Sequence, residues 1–249
     1  RMNIPDGAGE IAVTDYANIK ATKGDLPDLG GWNCVAGIDF SKVTDWVSVC
    51  LHFKQGDKRY DISHSWMCAE SKDIPRLRCP WKEWARNGRL TLVDDVEIHP
   101  SLITDYLYSM RSQYAIRGIA IDDFRYALMA RALNDLGFDP KDKKNLKLVR
   151  PSDIMKVAPV IDSCFANKWF TWGDAPELRW ATNNTKLIRY GRKIGQQNDA
   201  DIGNYVYGKI EAKSRKTDPF MALVAAMTIE NMIIERREGK RKQLPTVTY

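Results

Sequence analysis

Three aspartates, each at the edge of an apolar run, could do chemistry together. Asp39 lies in Val35-Ala36-Gly37-Ile38-Asp39-Phe40-Ser41, and Asp122 ends Arg117-Gly118-Ile119-Ala120-Ile121-Asp122. Asp218 opens Asp218-Pro219-Phe220-Met221-Ala222-Leu223-Val224-Ala225-Ala226. A carboxylate at the end of a buried strand or the start of a buried helix is costly to desolvate without a partner. Three of them brought together would repel one another, and one or more would hold a proton. A hard divalent cation resolves that conflict, because Mg²⁺ takes oxygen ligands and keeps waters for a substrate's phosphate oxygens. Their types and placement therefore point to a carboxylate-built metal site for phosphodiester chemistry.

Other chemistries find less support. The histidines, His52, His64 and His99, have no metal-ligand spacing, and Cys34, Cys50, Cys68, Cys79 and Cys164 form no CxxC pair. The odd cysteine count fits a reducing compartment better than a disulfide framework. No GxxxxGK[ST] loop is present to cradle the phosphates of ATP. The formal net charge of +6 favours polyanionic partners without establishing them. No stretch has the length and apolarity of a membrane span, so no membrane partner is expected.

The elements that must position these acids are legible over much of the 249 residues. Residues 1–31 hold scattered Gly and Pro with no sustained period and read as a linker or N-terminal arm. The start at Arg1-Met2-Asn3-Ile4 suggests a segment of something longer. Residues 35–41 read as a strand, residues 46–53 alternate as a second, and 59–69 return antiparallel after the turn Gln55-Gly56-Asp57-Lys58. A strand at 89–93, a helix over 100–114, a strand at 117–122 and a helix over about 124–136 closed by Gly137 follow. A strand at 146–149 and a helix after Ser152-Asp153 complete the middle of the chain. Residues 168–217 resist parsing, and a helix is expected from Pro219 to about Arg237. The whole predicts an α/β fold with a mixed sheet flanked by helices. If the first strand and the 117–122 strand are neighbours, Asp39 and Asp122 open onto one end of the sheet, where a helix starting at Asp218 could supply the third acid.

This order of elements and acids resembles the ribonuclease H-like fold and, more narrowly, the C-terminal nuclease domain of the large terminase subunit of tailed bacteriophages. Gly37-Ile38-Asp39-Phe40-Ser41 with Asp45, Ile119-Ala120-Ile121-Asp122-Asp123-Phe124, and Lys216-Thr217-Asp218-Pro219-Phe220-Met221-Ala222-Leu223 carry the resemblance. Asn183 and Asn184, after Leu178-Arg179-Trp180, resemble a further family stretch, whereas Trp172-Gly173-Asp174-Ala175-Pro176 lacks the His-Gly-Asn pattern of some relatives. The resemblance spans about residues 32–235, within a domain expected over 32–238 and followed by a basic, disordered tail at 239–249. It implies an endonuclease that cuts concatemeric viral double-stranded DNA during genome packaging with two Mg²⁺ or Mn²⁺ ions. It also implies a setting in the host cell cytoplasm, with an ATPase domain, a small terminase subunit and a portal as partners. A junction resolvase or transposase-type nuclease would use the same acids. A catalytically idle DNA-binding or docking domain would use only the basic surface.

Each residue also has a plainer role open to it. Asp39, flanked by Ile38 and Phe40, fits a ligand better than a strand-edge ion pair. Of the adjacent Asp122 and Asp123, the first is assigned to metal and the second to capping the helix that follows. Asp218 before Pro219 is a standard helix start, and only the resemblance raises it further. Asp45 is a further ligand or an exposed loop acid, and Asp123 remains a second candidate ligand. Lys213, Arg215 and Lys216 ahead of Asp218, and Lys186, Arg189, Arg192 and Lys193 around Tyr190, are candidate DNA-backbone contacts or solvated faces. The tryptophans are expected in the core.

Overall fold

The computed structural model describes residues 11–42, 45–141, 143–189, 205–211 and 214–236. Along the chain these form β1 (Ile11–Ala12), α1 (Tyr16–Ala21), β2 (Asn33–Asp39), β3 (Val47–Gln55), β4 (Lys58–Cys68), α2 (Trp81–Arg86), β5 (Leu90–Val93) and α3 (Pro100–Met110). Next come β6 (Ala115–Asp122), α4 (Asp123–Asp135), β7 (Leu146–Val149), α5 (Pro151–Ala166), β8 (Phe170–Thr171) and α6 (Pro176–Asn183). The last elements are β9 (Thr185–Arg189), β10 (Tyr205–Lys209), α7 (Asp218–Met227) and a 3₁₀ turn at Glu230–Met232.

A seven-stranded mixed sheet in the order β5-β4-β3-β2-β6-β7, with β8 added to β4, forms the centre. The β2–β3 and β3–β4 pairs are antiparallel, while β2–β6, β6–β7 and β4–β5 are parallel. A hairpin can join the former, but parallel neighbours need crossovers: α2 lies between β4 and β5, α3 on the way to β6, and α4 between β6 and β7. Period-two alternation then sorts the two faces. Cys34, Ala36, Ile38 and Phe40 of the β2 run enter a core with Ile103, Leu107, Met129 and Leu133 of α3 and α4. On the other face, Val35 and Ala120 pack with Ala225 and Ala226 of α7. Gly37 shares that face for a steric reason. A Cβ there would lie 1.9 Å from the Ala222 carbonyl oxygen, so α7 can press its backbone against β2 only because the side chain is missing.

The expected strands and helices over residues 33–166 form with small shifts at their ends, and Gly137, at φ 92°, ends the α4 turn as anticipated. Three expectations need correction. Residues 11–21 are not an irregular arm: β1 pairs with β9 and α1 buries Ile19. Residues 168–217 contain β8, α6, β9 and β10, short elements of which β8 pairs with β4 and β9 with β1, both distant in sequence, as well as β9 with β10. The last helix stops at Met227, well before Arg237, and the chain turns so that Glu230 meets His52 and Arg59. The expected tail at 239–249 lies outside the described residues. Trp66, Trp84, Trp172 and Trp180 are buried as expected, with Trp81 and Trp169 partly so. Among the described residues no helix is long and apolar enough to cross a membrane.

Candidate functional site

The β2–β6 register aligns Ile38 with Ile121, so the next residues, Asp39 and Asp122, leave adjacent parallel strands at the same sheet end. By alternation both follow the face that carries Val35, Gly37 and Ala120, which is the α7 face. Asp218 opens α7 against this face, with Pro219 next to it, in a position where helix N–H groups have no intrahelical acceptor.

Two adjoining hollows result. Asp39, Asp45, Lys209, Asp218 and Met221 line one of about 230 Å³. Asp39, Asp122, Phe124, Ile154 and Met221 line another of about 390 Å³. Asp39 is common to both. Burial, then the charge of Asp218, raises the Asp39 pKa well above the ordinary carboxylate range. Burial pushes Asp218 up to about 6, against the opposing pull of Lys209. Asp218 Oδ2 is buried without a hydrogen-bond partner. A buried, orphaned carboxylate oxygen beside a second acid is what a cation site leaves open when its donors are all oxygen. The donor set therefore fits Mg²⁺ or Mn²⁺.

The side chains do not all close on one point. Among the described residues no three His, Cys, Asp or Glu side chains stand close enough to hold an ion as they are. Two local interactions account for this. Asp122 Oδ1 accepts the amide of Phe124 at 3.0 Å and so caps α4. Asp45 accepts Lys209 Nζ and Lys216 Nζ, each at 2.8 Å. Burial works against Asp45's charge, but the two lysines outweigh it and hold its carboxyl below the usual range.

Several sequence assignments change here. The cap was expected from Asp123; Asp122 provides it, and Asp123 instead meets Arg150 Nε at 3.1 Å. A residue that leaves a strand straight into a helix can use its own carboxylate two residues on, a geometry the dipeptide alone does not reveal. Lys216 was a candidate DNA contact, yet it is 1% exposed and donates to Asp45 and to Asp73 Oδ2 at 2.6 Å. It braces the loop from beneath and is inaccessible to a backbone phosphate. Lys186 and Arg189 fall on opposite faces of β9, so they cannot form one stripe; Arg189 lies over the Tyr205 ring. Lys213, Arg192 and Lys193 lie outside the described residues.

Sequence reading missed Lys209, which sits 3.9 Å from Asp218 as well as 2.8 Å from Asp45. The alternation Tyr205-Val206-Tyr207-Gly208-Lys209 was the available signal. It also missed a groove of about 710 Å³ lined by Lys20, Lys23, Arg78, Arg89, Arg179 and Arg215, with Glu83 and Asp174 as its acids. The segment 214–218 runs between groove and acids. The Arg78 amide donates to Ser214 O, Asn184 Nδ2 donates to Lys216 O, and Asp218 follows two residues on.

Neither the family models nor the curated proteins include a match to this chain. Solved structures do match. The large terminase of bacteriophage HK97 superposes with a TM-score of 0.71 at 16% identity, over 88% of this chain and 43% of that one. This chain thus spans less than half of the HK97 protein. The large terminase nuclease of thermophilic phage G20c with bound magnesium matches at 0.52 and 12% identity, over 89% and 98% of the two chains. The same nuclease with bound cobalt matches at 0.52 and 10% identity, with the same coverage. At these identities the likeness is one of fold, and it agrees with the strand order and the flanking helices found here. The chain has the ribonuclease H-like α/β fold seen in the nuclease domains of phage large terminases.

Proposed function

We propose that this chain is the metal-dependent DNA endonuclease domain of a viral terminase, which cuts concatemeric double-stranded DNA during genome packaging. The observation that carries the proposal is the orphaned Oδ2 of buried Asp218 beside the half-buried Asp39, two acids whose repulsion a divalent cation relieves. Asp39, Asp122 and Asp218 would hold two Mg²⁺ or Mn²⁺ ions, with Asp45 joining once it releases a lysine. When bound, such ions activate a water and stabilise the leaving 3′-oxygen.

The protein's own groups do the rest. Asp39, shared by both hollows, is placed to bridge them. Asp122 keeps one oxygen on the Phe124 amide, which fixes its rotamer and leaves the other to face the hollow. Lys209 offsets the negative charge of Asp45 and Asp218 and stands where a phosphate oxygen could take its place as partner. The groove beyond residues 214–218 supports a polyanionic substrate, since six Lys and Arg side chains in its lining outnumber Glu83 and Asp174. A lining with that character suits a duplex backbone better than unstacked bases.

The fuller assignment places the domain in the host cell cytoplasm, joined to an ATPase domain and working with a small subunit and a portal. A plasmid-nicking assay with Mg²⁺, Mn²⁺ or EDTA, run on the parent and on Asp39→Ala, tests the core of it. Cutting by the parent in Mn²⁺ and its loss in EDTA and in the variant are expected. A preference for four-way junctions over linear duplex would move the assignment to a resolvase, and DNA binding without any cutting would leave an idle docking domain.

A further inference from the structure

Phe124 is 87% exposed on the first turn of α4, two residues from Asp122. A single exposed apolar side chain needs no explanation by itself; this one is singled out by its place on the wall of the hollow that holds Asp39 and Asp122. Nothing local requires a phenyl ring there. The hydrogen bond to Asp122 uses the backbone amide of Phe124, which any residue except proline would supply. That same bond fixes where the ring stands relative to the acid. The ring lines the hollow shared by Asp39 and Asp122. The next residue, Arg125, is exposed and lines both hollows of the site. No ion pair among the described residues engages its guanidinium.

We propose that Phe124 and Arg125 form a two-part DNA grip at the rim of the acid site, Arg125 holding a backbone phosphate and Phe124 packing its ring on the bases beside the bond to be cut. The proposal rests on the nuclease reading and deepens it by naming how the substrate is seated. A substrate phosphate that reaches Asp39 must bring its neighbouring nucleotides over the rim, where a cation and an apolar face stand side by side. The cation suits the backbone, and an exposed aromatic suits base faces or an opened base step. With the bases braced against Phe124, the phosphate cannot slide along the acids, which is a positioning role.

The two residues have different signatures. The test compares the parent, Phe124→Ala, Phe124→Tyr, Arg125→Ala and Asp39→Ala in three measurements. These are melting with and without Mn²⁺, duplex affinity against salt in Ca²⁺, and nicking in Mn²⁺. Phe124→Ala should melt as the parent does and keep the Mn²⁺-induced rise, since neither the core nor the acids lose a group. Its duplex affinity and nicking should fall on the order of tenfold, the scale of one lost base–aromatic contact, with the salt slope unchanged. Phe124→Tyr should restore most of both, because the ring is kept. Arg125→Ala should instead lower the magnitude of the salt slope by about one, as one phosphate contact is lost.

Phe124→Ala that binds and nicks within twofold of the parent, while Asp39→Ala is inactive, overturns the grip and leaves the nuclease reading intact. Altered self-association of Phe124→Ala with unchanged DNA affinity assigns the ring to a protein contact and also overturns it. A parent that neither binds nor cuts removes both readings.

Discussion

The same sheet buries charge in two ways. On β3 and β4, His52 and Asp61 are fully buried, and every polar atom the network needs is matched. Asp61 Oδ1 meets His52 Nδ1 at 2.6 Å, Trp172 Nε1 donates to Asp61 Oδ2 at 2.9 Å, and His52 Nε2 meets Glu230 Oε2 at 3.0 Å. Arg59 closes the network with two bonds of 3.0 Å to Glu230. At the end of β2 and β6, by contrast, Asp39 and Asp218 share a pocket with an orphaned oxygen and a single lysine. The first arrangement is closed and ties the segment after α7 to the sheet. The second is left open, at a cost in stability. Burial and ionisable residues are common to both; the difference is an unmet carboxylate oxygen that stands beside a second acid and opens on a hollow.

The largest effect that could break this contrast is in the open site. Asp39→Ala should lower nicking by at least about a hundredfold, through loss of the group that places the reacting oxygens. The melting temperature without metal should hold or rise, because a carboxylate that repels Asp218 is gone. A marked fall in melting temperature would show that Asp39 belongs to a closed network after all.

The mirror experiment is Glu230→Ala, which leaves His52 and Arg59 without their shared acid. Breaking a buried ion pair from one side costs about 3–5 kcal/mol, so urea melts should show a large loss of stability. Nicking per folded molecule should stay near the parent's. Loss of cutting in protein that remains folded would mean that the two regions are coupled.

Proton linkage separates them by sign. Burial opposes charge on His52, but Asp61 and Glu230 raise its pKa to about 9. Its contribution is therefore complete below the unfolded value near 6.5 and is lost as pH rises through about 9. Glu230, held at about 2 by His52 and Arg59 despite burial, contributes above the unfolded value near 4.5 and loses that as pH falls. The closed network is accordingly strongest at about pH 4.5–6.5. Asp218 behaves in the opposite way to Glu230. With its pKa raised to about 6, the folded state holds the proton longer, and stability declines as pH rises from about 4 to 6. Mn²⁺ should relieve that penalty, and because Asp39 is raised as well, its melting-temperature gain should grow as pH rises from about 5 to 8. A gain that is flat with pH would deny that protons and metal compete for these acids.

The smallest effect belongs to the groove. Lys20→Ala with Lys23→Ala should leave metal-induced stabilisation unchanged and reduce the salt slope of duplex binding by about two at most. An unchanged slope would confine DNA to the acid site itself.

Local sequence carried much of this. Asp39 and Asp122 were recognisable because each closes an apolar run rich in Ile, Ala and Gly, and a charge in that position is expensive unless used. Asp218 was weaker, since Asp-Pro opens ordinary helices. Lys216 misled because a lysine next to a site acid looks the same in sequence whether it faces solvent or lies beneath the loop. Lys209 and Glu230 were out of reach for a related reason. Their partners Asp45, His52 and Arg59 stand far off in the chain, and only the assembled fold brings β10 and the segment after α7 up to them.

By itself, then, the sequence determined the alternating strands, the helices between them and the three acids at their ends, because periodicity and burial act over a few residues. Tertiary structure decided which acids share a pocket, through the β2–β6 register and the approach of α7 over Gly37. It also decided which lysines are committed to carboxylates. Those outcomes depend on distances between segments far apart in the chain, and only the assembled sheet sets such distances.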